Sequence, residues 1–254
     1  MTPHASRALV LAAGLFLAAA PSVHAGVMVD FGTSWDGPSA TLQAIIDSRY
    51  GSGRISFVAN YLGALPADPD PFFWVDRGFS ALLVREIAGN ATRNVVGWYV
   101  EPEDGSRPVI DGVDDGVAFD GPAGPGATTV ITFDRPRQHF GFYLNPNGPG
   151  NATNAPEPEM FFTNRLFNDL GPDGRGALHV PIDGDVQAII FDVSSWTQPN
   201  TWLVCFEDLD SGAIPGACCA TTDNDFNDFV FEVTALSVTP VQPLTLGALK
   251  LRYR

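Results

Sequence analysis

Short β-branched and aromatic runs, each cut off by Gly, Pro, Asn or Asp, recur along almost the whole of this 254-residue chain. They stand at 27–31, 55–58, 81–87, 95–100, 128–133 and 140–144, then at 160–163, 177–180, 187–193, 201–206 and 229–235. Runs of this length and composition are strands, and 26 Gly with 21 Pro supply the turns between them. Helical periodicity is confined to one stretch near residues 40–50. There Ser39 is placed to cap a short helix, and Leu42, Ile45 and Ile46 share one face. Many short strands with almost no helix predict an all-β fold, a β-sandwich or jelly-roll-like architecture.

The N-terminus reads as an address. Arg7 precedes an apolar run over 8–20, and Val23-His24-Ala25 closes it with small residues around a cleavage point. That order predicts a secretory signal peptide over 1–25, too short for a membrane span. Residues 26–236 then form a single β-sandwich domain, and 237–254 a C-terminal tail. The loop-like stretch over 145–158 is read as an excursion, because strand patterns flank it. Formal net charge is −15, one unit more negative without Arg7. Such a surface repels nucleic-acid phosphates and anionic lipid, and it attracts cations. An exported chain that is periplasmic, extracellular or bound to the cell surface is expected.

The densest chemistry lies near the end of the domain. Phe206-Glu207-Asp208-Leu209-Asp210 is followed by a loop of small residues, then by Asp223-Asn224-Asp225-Phe226-Asn227-Asp228 and the strand from Phe229. No Lys or Arg occurs from Glu207 to Leu249 to balance these charges. A hard cation taking six to eight oxygens would relieve the repulsion, and Ca2+ is the natural candidate. Asp208, Asp223, Asp225 and Asp228 are the leading ligands, with Glu207, Asp210 and Asn227 behind them. Asp223, Asp225 and Asn227 alternate as in the first half of an EF-hand loop. Asp228, however, stands where that loop needs Gly, and Thr234 where it needs Glu, so an EF-hand is excluded. The same residues also suit a solvated turn without metal, since Asp and Asn bond their own backbone there.

Cys205, Cys218 and Cys219 are the three cysteines. Export favours a disulfide from Cys205 to Cys218 or Cys219, which leaves one thiol over. A zinc site would lack a fourth ligand. Outside the leader, His139 and His179 are the only histidines, and neither has a nucleophile motif beside it, so no enzyme is expected. Asn90-Ala91-Thr92 and Asn151-Ala152-Thr153 match the glycosylation acceptor pattern, which arises often by chance. Phe72, Phe73, Trp74, Trp98 and Trp196 could stack on sugars, but large apolar side chains on strands are expected in the core.

The acidic segments resemble the signature of an exported bacterial family, a domain of unknown function of the DUF 4114 type often found in PEP-CTERM-sorted proteins. Its members carry Phe-Glu-Asp-Leu, a short Gly-rich loop, and Asp-x-Asp-Phe/Tyr-Asn-Asp leading into a Val-Phe-Glu-Val strand. The matching residues here are 206–209, 223–228 and 229–233. The segment 42–47, Trp74, Glu86-Ile87-Ala88-Gly89-Asn90-Ala91, Asn94-Val95-Val96-Gly97-Trp98-Tyr99 and Phe140-Gly141-Phe142-Tyr143-Leu144 are similar to further motifs of the family. The loop departs from the pattern at Ile214, Pro215 and the Cys218-Cys219 pair. The tail runs Val241-Gln242-Pro243, a short apolar stretch, then Lys250, Arg252 and Arg254, similar to a degenerate sorting signal. The resemblance strengthens the calcium reading. It implies a secreted calcium-binding module whose partner is extracellular polysaccharide or a cell-surface protein. The alternative is a lectin-like carbohydrate-binding module or a glycan-active enzyme on a jelly roll.

Overall fold

A computed structural model describes residue 29 and residues 31–63, 73–88, 91–134, 137–146, 160–168, 186–209 and 223–236. These residues hold one α-helix, α1 (Leu42–Tyr50), a single 3-10 turn at Arg165–Asn168, and ten strands. The strands are β1 (Phe73–Val75), β2 (Gly78–Glu86), β3 (Val95–Val100), β4 (Asp115–Phe119), β5 (Thr128–Thr132), β6 (Arg137–Asn145), β7 (Phe161–Phe162), β8 (Ala188–Asp192), β9 (Thr201–Phe206) and β10 (Phe229–Ala235). One sheet runs β1-β6-β3-β4 with β7 also paired to β6; the other runs β5-β2-β10-β9-β8. Every pairing is antiparallel. The molecule is an all-β sandwich with one short helix.

Alternation along the strands decides what lies between the sheets. Phe229, Phe231 and Val233 of β10 meet Val204 and Phe206 of β9, Phe79, Ala81 and Leu83 of β2, and Phe140, Phe142 and Leu144 of β6 in one buried cluster. Its rings make edge-to-face contacts, among them Phe142 on Phe231 at 5.2 Å and Phe73 on Phe142 at 5.1 Å. Burial of so many large side chains is the main driving force for closing the sandwich.

Both sheets are also covered outside, which explains why β9 and β10 read as continuous apolar runs. Leu42, Ile45, Ile46 and Tyr50 of α1 lie on Ile189, Phe191, Leu203, Cys205 and Val230. Arg49 and Tyr50 fix that helix electrostatically: Arg49 Nε donates to Glu232 Oε1 at 2.7 Å, and the Tyr50 hydroxyl donates to the same oxygen at 2.6 Å. The helix begins at Thr41, whose Oγ1 accepts from the Ala44 amide at 3.2 Å. The cap is therefore two residues later than Ser39, because it is the Thr41 hydroxyl that accepts from an amide of the first turn. On the other sheet, Val95, Tyr99, Tyr143 and Phe162 form a third cluster with Ile110, Met160 and Phe167. A Cβ on Gly97 would lie 2.2 Å from the Tyr143 ring, so only glycine permits that packing.

Several sequence expectations are corrected. The stretch 55–58 is turn rather than strand, and Val29 and Phe31 belong to no strand. Their apolar residues instead fill space beside α1, where Ile55, Phe57 and Phe31 join the helix-side cluster. Cys205 is a free, buried thiol in that cluster and forms no disulfide; Cys218 and Cys219 lie outside the described residues. Phe73 and Trp98 are core, whereas Trp74 and Trp196 are exposed. Trp74 is the outward residue of a three-residue edge strand, and Trp196 sits in a turn, so neither faces a sheet interior. The leader, Phe72, His179, the 177–180 run, both glycosylation asparagines and the tail lie outside the described residues. No helix among the described residues is long and apolar enough to cross a membrane.

Candidate metal centre

Strand pairing brings the acidic segments together. Phe206, the last residue of β9, pairs with Phe229, the first of β10, and Phe229 also pairs with Glu86, the last of β2. Residues flanking these positions must therefore gather at one end of the sheet. Glu207 and Asp208 leave β9 there, and Asp228 enters β10 beside them. Its backbone carbonyl accepts from the Ile87 amide at 3.1 Å.

Glu207, Asp208 and Asp228 form the inner group. All three are buried, and one carboxylate oxygen from each lies within 4.8 Å of the others. The Asp208 amide donates to Asp228 Oδ2 at 2.8 Å, the Phe226 amide donates to Glu207 Oε2 at 3.4 Å, and Asn94 Nδ2 donates to Asp208 Oδ2 at 3.1 Å. Burial, followed by the charges of Glu207 and Asp208, pushes Asp228 up to about 10. Burial pushes Glu86 up to about 8; the Asn94 hydrogen bond opposes this and the charge of Asp208 adds to it. The charges of Glu207 and Asp208 on Asp228, and of Asp208 on Glu86, are negative. Two like charges 4.8 Å apart repel by about 3.5 kcal/mol at an effective dielectric of ~20.

Asp36, Asp223 and Asp225 form an outer group, again with oxygens within 4.8 Å of one another. The loop that carries the last two turns through left-handed residues at Asn224 (φ 49°) and Phe226 (φ 56°). Phe226 bears that conformation because its ring is buried and packs edge-to-face on Phe31 at 5.8 Å. The segment 31–40 lies against this loop. Gly32 N donates to Asn224 O at 3.0 Å, Trp35 N donates to Asp223 Oδ2 at 2.6 Å, and Asn227 Nδ2 donates to Ala40 O at 2.9 Å. A Cβ on Gly32 would stand 1.7 Å from the Asp223 carbonyl oxygen, so glycine is required for this approach. Asn227 also donates from its backbone to Asp225 Oδ1 at 3.1 Å, and its Nδ2 reaches Asp225 Oδ2 and the Ser34 hydroxyl. Burial pushes Asp225 up to about 6, with hydrogen bonds from Ser34 and Asn227 opposing and the charges of Asp223 and Asp36 adding.

The residues predicted from sequence thus fall into two groups rather than one cage. Glu207, Asp208 and Asp228 converge; Asp223 and Asp225 converge elsewhere; Asn227 is hydrogen-bonded to the second group; Asp210 lies outside the described residues. Three participants were missed. Asp36 comes from the far end of the chain and has no local signal. Glu86 and Asn94 did carry one, since each opens a segment already singled out for its similarity to a motif of the exported family. In both groups the donors are carboxylate and amide oxygens alone, a set that suits hard cations such as calcium or magnesium and not zinc. His139 is exposed on β6. Comparison with family models, with curated proteins and with solved structures returned no match.

Proposed function

We propose that this protein is an exported, calcium-stabilised β-sandwich acting as an interaction or matrix module at the cell surface or in exopolysaccharide. One observation carries the reading: three buried carboxylates from two chain segments face one another, and the charges of Glu207 and Asp208 both act on Asp228. Burying charges of one sign together is unfavourable unless they are protonated or a cation is held between them. The leader-like N-terminus supports export, and the signature-like segments support membership of the exported family that they resemble.

Cation binding to the folded state alone stabilises it by about 2.7 kcal/mol at one hundred times the dissociation constant. For a domain of this size that corresponds to a rise in Tm of roughly 5–10 °C. Thermal melting of metal-stripped protein in millimolar calcium, against the same protein in chelator, is expected to show it. Coincident melting curves would remove the basis for the reading.

A second reading, carbohydrate binding, draws on the outer group. Trp35 is 65% exposed and its backbone amide is bound to Asp223, so an exposed aromatic residue is anchored on the outer group. Calcium-dependent signals on a glycan array would favour this role over that of an inert matrix part.

A further inference from the structure

We infer that Glu86 and Asn94 are ligands of the inner group, and that with them the site becomes a closed cage selecting calcium-sized hard cations over magnesium. This rests on reading the inner group as a cation site, and it adds donors from two other parts of the chain.

Asn94 is fully buried ahead of β3. Its Nδ2 donates to Asp208 Oδ2 at 3.1 Å, so its carboxamide stands against the carboxylates, yet its Oδ1 is buried with no hydrogen-bond partner. Glu86 ends β2 opposite Phe229, next to Asp228 in the ladder. It hydrogen-bonds Asn94, and its Oε1 is likewise buried without a partner. Two buried oxygens left without partners on residues that adjoin Asp208 are costly in a folded protein. A cation held by Asp208 would engage the Glu86 oxygen as its carboxylate closes on the group, and the Asn94 oxygen once the carboxamide turns.

The carboxamide suits either state. Facing carboxylates alone, it must present its NH2; half a turn about its last side-chain bond presents the carbonyl oxygen instead, with little change of shape. Four carboxylates, each able to give one or two oxygens, and one amide oxygen meet the six to eight donors that calcium takes. Magnesium demands a tight octahedron and keeps several waters, which the buried trio of Glu207, Asp208 and Asp228 does not offer.

The test is calorimetric titration of metal-stripped full chain with calcium and with magnesium, for wild type, Glu86→Gln, Asn94→Ala and Asn94→Asp. Circular dichroism of each protein checks folding. Wild type is expected to bind calcium at least about tenfold more tightly than magnesium. Glu86→Gln and Asn94→Ala are expected to weaken calcium by at least about tenfold, and Asn94→Asp to retain it. The near-isosteric Glu86→Gln and Asn94→Asp keep the test decisive should Asn94→Ala not fold. Calcium binding at wild-type strength by Glu86→Gln and Asn94→Ala would overturn the inference while leaving the inner group a cation site. Equal affinity of the wild type for the two metals would overturn the selectivity. Absence of calcium binding by the wild type would remove the underlying reading and the inference with it.

Discussion

Asp228→Asn protein is expected to melt at the same temperature with and without calcium, and at pH 8 in chelator to melt above the wild type. The first half follows from removing a charged ligand. The second follows from the sign of the titration. Burial and the neighbouring Glu207 and Asp208 push Asp228 up to about 10, far above the value of about 3.9 for an exposed Asp. A carboxylate whose folded value is raised contributes stability below its unfolded value, and that contribution is lost as pH rises through the folded one. Glu86, pushed up to about 8, and Asp225, pushed up to about 6, act in the same direction. Cation-free wild type therefore loses Tm steadily between pH 5 and pH 9, and saturating calcium flattens that decline. Asparagine keeps an acceptor for the Asp208 amide, which now bonds Asp228 Oδ2 at 2.8 Å, and removes one titrating charge. Its decline in chelator is shallower. Scanning calorimetry across this pH range, with calcium and with chelator, checks both halves. A variant that kept the calcium response, or melted below wild type at pH 8 in chelator, would contradict the electrostatic account.

Phe231→Ala is the other large effect. Phe231 is fully buried at the centre of the inter-sheet cluster, with ring contacts to Phe119, Phe142, Phe206 and Phe229. Truncating a buried Phe to Ala costs about 3–5 kcal/mol, which lowers Tm by roughly 6–20 °C in a domain of this size. Calcium is nevertheless expected to raise the melting temperature of this variant by a similar increment to that seen in wild type. The side chain lies between the sheets, and the carboxylates lie beyond the strand ends. Melting curves for the two variants thus separate the core from the site: one loses stability and keeps the calcium response, the other does the reverse.

How far the sequence was legible depends on the kind of information each element needed. β3, β9 and β10 appear at their predicted bounds because their β-branched and aromatic runs start abruptly after Asn94, Asn200 and Asp228. β4 was not seen, since Asp115 and Gly116 open it with residues that strands disfavour and its place is set by pairing with β3. Ile55 and Phe57 misled in the opposite sense: apolar residues can be buried under a helix without a pleated partner. The acidic segments stood out because their charge is local. Their division into two groups was hidden, because it depends on left-handed turns at Asn224 and Phe226 and on Asp36 arriving from the start of the domain. Glu86 comes to Asp228 through the β2–β10 ladder, and Asn94 comes to Asp208 from ahead of β3 in the other sheet, neighbourhoods that spacing along the chain does not encode.

The most direct test is a crystal structure of the protein grown in millimolar calcium. The account predicts an anomalous density peak with oxygens of Glu207, Asp208 and Asp228 at about 2.3–2.6 Å. Those carboxylates turned apart into water, with no peak between them, would contradict it.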